Sequence, residues 1–175
     1  MRPGNLERNT YVRKQITKAT LELLQDNELD KIPIGQIADR AQVSRVSFYR
    51  NYDSKEDVLK THVARLMLDW DKSLGGGNKP DGGLDDDQLA SLFGHLKNHA
   101  DLYQLLERRG LLYLLRDALK ELYGPKPEHP NFGAYLAAFV FYGMYGWIEE
   151  WVARGMQESG EEMAALLKMR NMGAQ

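Results

Sequence analysis

The chain has 175 residues, 43% of them hydrophobic and none of them cysteine, and carries a formal charge of −2. That length suits one compact unit or two small ones, and the apolar content is enough to build a core. The missing cysteines exclude disulfides, zinc–thiolate sites and thiol nucleophiles, and the near-neutral total excludes a nonspecific polycation.

Charge is nevertheless unevenly placed: residues 1–60 hold 11 Lys or Arg against 9 Asp or Glu, +2, and the remainder holds 12 against 16, −4. Any affinity for nucleic acid therefore has to come from local arrangement. No apolar run reaches membrane-spanning length and the N-terminus lacks a signal-peptide pattern, so a cytoplasmic protein with no membrane partner is expected.

Met1 to Asn9 reads as a polar tail with Arg2 and Arg8, either frayed or an arm that touches phosphate or a minor groove. From Asn9 or Thr10 to Gln25, Val12, Ile16, Ala19, Thr20, Leu23 and Leu24 form one apolar face and predict a first helix, with Arg13, Lys14 and Lys18 off that face. Asp26 to Lys31 is a polar break. Ile34, Ile37, Ala38 and Ala41 mark a short second helix, with Pro33 at its first position. The pattern stops at Gln42-Val43, and Ser44 can cap a third helix because its hydroxyl can accept from a free backbone N–H two or three residues on. That helix carries Arg45, Ser47, Tyr49, Arg50 and Asn51, with Val46 and Phe48 assigned to its packing side and Tyr52 near its end. Asp53 or Ser54 then caps a fourth helix. Glu56 and Asp57 sit in its first turn, and its apolar stripe comprises Val58, Leu59, His62, Val63, Leu66, Met67 and Trp70.

Two short helices joined by a tight turn fit a DNA major groove, where the second shows its N-terminal side chains to base edges. Arg45 and Arg50 can pair with guanine edges or phosphates, and Ser47, Tyr49 and Asn51 can donate to either. Lys55 opens a helix, where a cation and free backbone N–H groups together favour phosphate. The candidate DNA-binding residues are Ser44, Arg45, Ser47, Tyr49, Arg50, Asn51 and Lys55. An ordinary helical hairpin with a solvated basic face fits the same spacing.

The stretch IADRAQVSRVSFYRNYDSKEDVL resembles the DNA-binding signature of the TetR family of transcriptional regulators. The shared features are Ile37-Ala38, the turn Ala41-Gln42-Val43-Ser44, the aromatic pair Tyr49 and Tyr52, and the cap Ser54-Lys55. The likeness runs from about Tyr11 to Leu68. It implies a three-helix reading head whose first helix runs beside the DNA backbone, and a fourth helix that connects it to a second half. Gln42 stands where the family usually has Gly, and is strained if that position needs positive φ. Pro33 and Gly35 replace a Thr cap and a basic or polar residue, which puts a phosphate contact there in question.

Gly75 to Gly83, with five Gly and one Pro in nine residues, cannot hold a helix and lacks the spacing of a phosphate loop. Beyond it Asp85-Asp86-Asp87 opens a helix with Leu89, Leu92, Phe93 and Leu96. His95 and His99 lie four apart, as two metal-binding imidazoles would, but apart from the nearby Asp101 no carboxylate partner is fixed by sequence, and no metal or cofactor is expected. Two short helices follow, Asp101 to Arg109 and Leu111 to Tyr123. After the proline-rich loop Gly124 to Pro130, Phe132 to Met156 predicts a long helix apolar around most of its circumference, more than one chain can cover. Glu161 to Met172 predicts the last helix. The stretch YGMYGWIEEWVARGMQESGEEMAALL is loosely similar to the C-terminal half of TetR regulators grouped with dihydroxyacetone-kinase regulators.

The expected fold is all-α, an N-terminal three-helix helix-turn-helix domain (1–55, the connecting helix beginning at 54–70) and a C-terminal helical dimerisation and ligand-binding domain (71–175). The expected function is a TetR-like repressor that binds a palindromic double-stranded DNA operator as a homodimer through the last two helices. The resemblance implies release by a small apolar or aromatic effector lined by Tyr103, Tyr113, Phe139, Tyr142, Met144, Tyr145 and Trp147, although these can equally be core and interface. The alternative is a ligand-binding or partner-docking relative with weakened DNA binding. An enzyme is not expected, because no nucleophile–base constellation is present.

Overall fold

The computed structural model describes residues 3–75 and 84–172, with side chains over 8–75 and 84–169. Met1, Arg2 and the glycine-rich run at 76–83 lie outside the described residues. All regular structure among the described residues is helical, and the chain divides into two compact units, Met1–Arg65 and Leu66–Gln175.

The first unit holds α1 (Pro3–Leu24), a 3-10 turn (Leu29–Lys31), α2 (Ile34–Arg40), α3 (Arg45–Asn51) and the first part of α4 (Lys55–Ser73). Helix α1 starts earlier than the apolar spacing predicts, opening on Pro3, a residue whose fixed φ and missing N–H suit the first helical position. Pro33 stands one place before that position, as the extended residue preceding α2. Ile16, Leu24, Ile37, Phe48, Val58, Leu59 and Val63 are wholly or almost wholly buried and bring α1 to α4 together. Phe48 alone contributes about 1.5–3 kcal/mol by leaving water. Thr20 is also buried, and its hydroxyl donates to Ile16 O at 2.8 Å, which satisfies it within its own helix. Tyr52 anchors the end of α3 on α1: its hydroxyl shares a hydrogen bond with Thr17 at 3.3 Å, and the Arg13 guanidinium lies 4.9 Å from its ring centre.

The second unit holds the remainder of α4, then α5 (Asp86–Asn98), α6 (Ala100–Arg108), α7 (Tyr113–Tyr123), α8 (Asn131–Ala153) and α9 (Gly160–Met172). Asp85 and Gln88 close a capping box at the start of α5, with Gln88 N–H donating to Asp85 and Asp85 N–H donating to Gln88, both at 2.9 Å. The aspartate run is thus a helix start. Helix α9 packs on α5 through Gly160, where a Cβ would lie 2.6 Å from Gly94 N and 2.8 Å from Ala90 O. The turn from α8 to α9 is held by side chains of α5 and α6. Lys97 Nζ donates to Met156 O and to Gln157 O, and Gln104 Nε2 donates to Gly155 O at 3.0 Å.

Helix α8 is covered over only part of its length. Phe141, Tyr145, Ile148, Trp151 and Val152 are buried, whereas Phe132 (79% exposed), Tyr135 (70%) and Phe139 (78%) stand in solvent with Leu136, Val140 and Tyr142. An exposed apolar row of this size is unusual on a protein meant to stay alone.

Candidate nucleic-acid interface

Helix α3 is placed by its two ends. At its start the Ser44 hydroxyl accepts from Ser47 N–H at 3.1 Å, the cap expected from sequence. Before it, α2 ends in a Schellman turn: Val43 N–H donates to Ala38 O at 2.9 Å and Gln42 N–H to Asp39 O at 3.1 Å. That turn puts Gln42 at φ 55°, in the left-handed region that glycine favours. At the far end, Ser54 caps α4 by accepting from Asp57 N–H at 3.0 Å, and Asp57 in turn accepts from Asp53 N–H at 3.2 Å. Burial of Phe48 and Tyr52 fixes the rotation of α3 between these ends.

The seven candidate residues separate into two groups. Arg45, Tyr49 and Arg50 are exposed and project from α3, Tyr49 with 58% of its surface in water. The others are engaged in building the head. The Ser44 and Ser47 hydroxyls lie 3.0 Å apart in a hydrogen bond of their own. Asn51 turns back along its helix and donates to Ser47 O at 2.8 Å, leaving its buried Oδ1 without a partner among the described residues. Lys55 Nζ donates to Asp30 O at 2.7 Å and Ile32 O at 3.0 Å, so the ammonium ties α4 to the loop before α2 and keeps one donor uncommitted.

Val46 does not lie on the packing side expected from sequence. Its apolar character assigns it to the packing side, but it is 67% exposed, on the same outward surface as Arg45, Tyr49 and Arg50. The signal was present in the spacing: Val46 lies three and four residues before Tyr49 and Arg50, hence on their face. An exposed valine on such a helix suits a thymine methyl group. Gly35 also joins this surface. It is buried, and a Cβ built there would fall 2.4 Å from Arg45 Nη2, 3.0 Å from Cζ and 3.1 Å from Nε.

The candidate effector residues differ in exposure. Tyr103 and Tyr145 are core residues; Phe139 and Tyr142 point outward from α8; Tyr113, Met144 and Trp147 are half-buried. The Tyr145 hydroxyl donates to Leu112 O at 3.4 Å. The Tyr103 hydroxyl is fully buried without a partner among the described residues, and burial pushes its pKa well up. His95 and His99 do come together, ring centres 4.9 Å apart, and the Trp70 ring centre lies 6.4 Å from that of His95. Burial, reinforced by His99 and opposed by Asp69, holds the His95 pKa below its ordinary value. Among the described residues no three His, Cys, Asp or Glu side chains gather as metal donors, and no helix is long and apolar enough to cross a membrane.

A family model described as bacterial regulatory proteins, tetR family, matches residues 16–61, and one described as a transcriptional regulator C-terminal region matches residues 86–170. No curated protein matches the chain. Among solved structures, a TetR transcriptional regulator from Streptococcus agalactiae superposes with a TM-score of 0.62 at 21% identity, covering 93% of this chain and 94% of that one. The dihydroxyacetone kinase operon activator DhaS superposes with a TM-score of 0.53 at 18% identity, covering 93% and 95%. At such identities the likeness is one of fold.

Proposed function

The chain belongs to the TetR family of bacterial regulatory proteins and is a DNA-binding transcriptional regulator of that type, and on that premise we propose that it is a repressor that occupies a palindromic operator as a homodimer. The observation that carries the proposal is the outward surface of α3, where Arg45, Val46, Tyr49 and Arg50 stand exposed on a helix capped at Ser44 and anchored by buried Phe48 and Tyr52. Two arginines supply forked donors for guanine edges or phosphates, the valine a surface for a thymine methyl, and the tyrosine a hydroxyl for phosphate.

Dimerisation is supported by the exposed row Phe132, Tyr135, Leu136, Phe139 and Val140 on α8, together with Leu166 and Met169 on α9. A two-fold axis through those helices would give half-sites about 34–36 Å apart, one helical turn of DNA. An effector belongs to the proposal on a narrower ground. The buried Tyr103 hydroxyl, without a partner among the described residues, suits a small apolar or aromatic molecule with one hydrogen-bonding group, whose binding would shift the head away from DNA. The compartment is the cytoplasm, where the operator is.

Selection of bound sites from random duplex DNA tests the reading. Enrichment of a two-fold symmetric sequence, with affinity falling steeply as salt rises, is expected. Reporter expression from that site then gives the sign of control; one relative is titled an activator. No enrichment would instead favour a ligand-binding or partner-docking protein that kept the helical head.

A further inference from the structure

Gly35 is the second residue of α2, a helix of only seven residues. A glycine inside so short a helix weakens it relative to alanine, so its presence needs a compensating reason. The structure supplies one. The three atoms nearest to a Cβ placed on Gly35 are Nη2, Cζ and Nε of Arg45, so the guanidinium lies directly over the bare Cα. Arg45 is the first residue of α3, is exposed, and pairs with no carboxylate among the described residues. Among the described residues no carboxylate sets the direction in which it leaves the helix; the seat over Gly35 does so by shape. A methyl group there would meet Nη2 at 2.4 Å, closer than carbon and nitrogen can approach, and the flexible end of the arginine would swing away at little cost to the fold.

We infer that Gly35 is a specificity-determining position of the reading head: by having no side chain it seats the Arg45 guanidinium against α2 and so selects the base step that this arginine reads. Gly35 is a positioning residue, since it acts on DNA only through Arg45. The inference rests on the DNA-binding reading above. A guanidinium already held in one direction loses less freedom when it meets a guanine edge, and its planar fork reads the base only from that direction.

The test is site selection from random duplex DNA with the full chain in four forms: unaltered, Gly35→Ala, Arg45→Ala and the double variant. The expected result is that Gly35→Ala and Arg45→Ala each lose roughly tenfold of the preference at the same step in both half-sites, and that the double variant loses no more than Arg45→Ala. The salt slope of Gly35→Ala should stay at the unaltered value, because no phosphate contact is removed. A merely structural glycine would raise the melting temperature when changed to alanine and leave base preference alone; that result, or additive losses in the double variant, overturns the inference. Absence of any preference in the unaltered chain would sink the DNA-binding reading itself and this inference with it.

Discussion

Replacing Gln42 by glycine should stabilise the reading head. Among the described residues the same Schellman turn ends three helices. After α6 its left-handed position is Gly110, φ 67°, with Leu111 N–H donating to Leu106 O at 2.7 Å; after α8 it is Gly155, φ 83°, with Met156 N–H donating to Trp151 O at 2.8 Å. Of these three turns, the one after α2 alone has a residue with a side chain at that position, Gln42 at φ 55°. Contact between Cβ and the following carbonyl costs an L-residue about 1–2 kcal/mol there. Glycine removes that strain but gains about 0.5–1 kcal/mol of unfolded-state freedom. The net for Gln42→Gly is therefore a stabilisation of about 0–1.5 kcal/mol, with mid-points giving about 0.75 kcal/mol, or roughly 3–6 °C for a unit of this size. Gln42→Val, β-branched, should move the other way by a larger amount. Urea unfolding followed by hydrogen exchange at the Val43 and Phe48 amides reads both effects in the head. If Gln42→Gly proves destabilising, the exposed Gln42 side chain stabilises the turn by more than the backbone strain opposes it, and the strain argument fails.

Lys55→Ala should loosen the approach to α2 by about 1 kcal/mol, the net worth of its partly exposed bonds to Asp30 and Ile32 carbonyls; faster exchange at the Ile34 to Gln36 amides would show it, and unchanged rates would mean the ammonium holds nothing there. Tyr135→Glu with Phe139→Glu changes two side chains that are mostly in water, so the chain should fold as before yet sediment as a monomer; a dimer that persists would place the interface elsewhere. His95 should make stability depend on pH. Its folded pKa is held below the ordinary 6.5, so the unfolded chain binds the proton first, and the contribution is complete above about 6.5 and lost as pH falls through the lowered value. Melting between pH 7.5 and 5 should show a decline that His95→Gln flattens; equal slopes for both chains would refute the assignment.

The sequence by itself determined the helices and the place of the head. Apolar residues at helical spacing mark α1, α2 and α4 to α9, Ser44 signals the cap of α3 and the aspartate run the start of α5, and Gln42 in place of glycine flags a position that is strained at positive φ, where the structure puts it. Those features depend on neighbours a few residues apart, which a linear reading contains. Only the tertiary structure decided which polar groups remain for a partner. Lys55 reaches carbonyls 23 and 25 residues away, Arg45 lies over a glycine in the preceding helix, and Val46 turns outward because Phe48 and Tyr52 fix the roll of α3. It likewise divided the C-terminal aromatics between core and surface, since composition says that a helix is apolar but not which of its faces another helix covers.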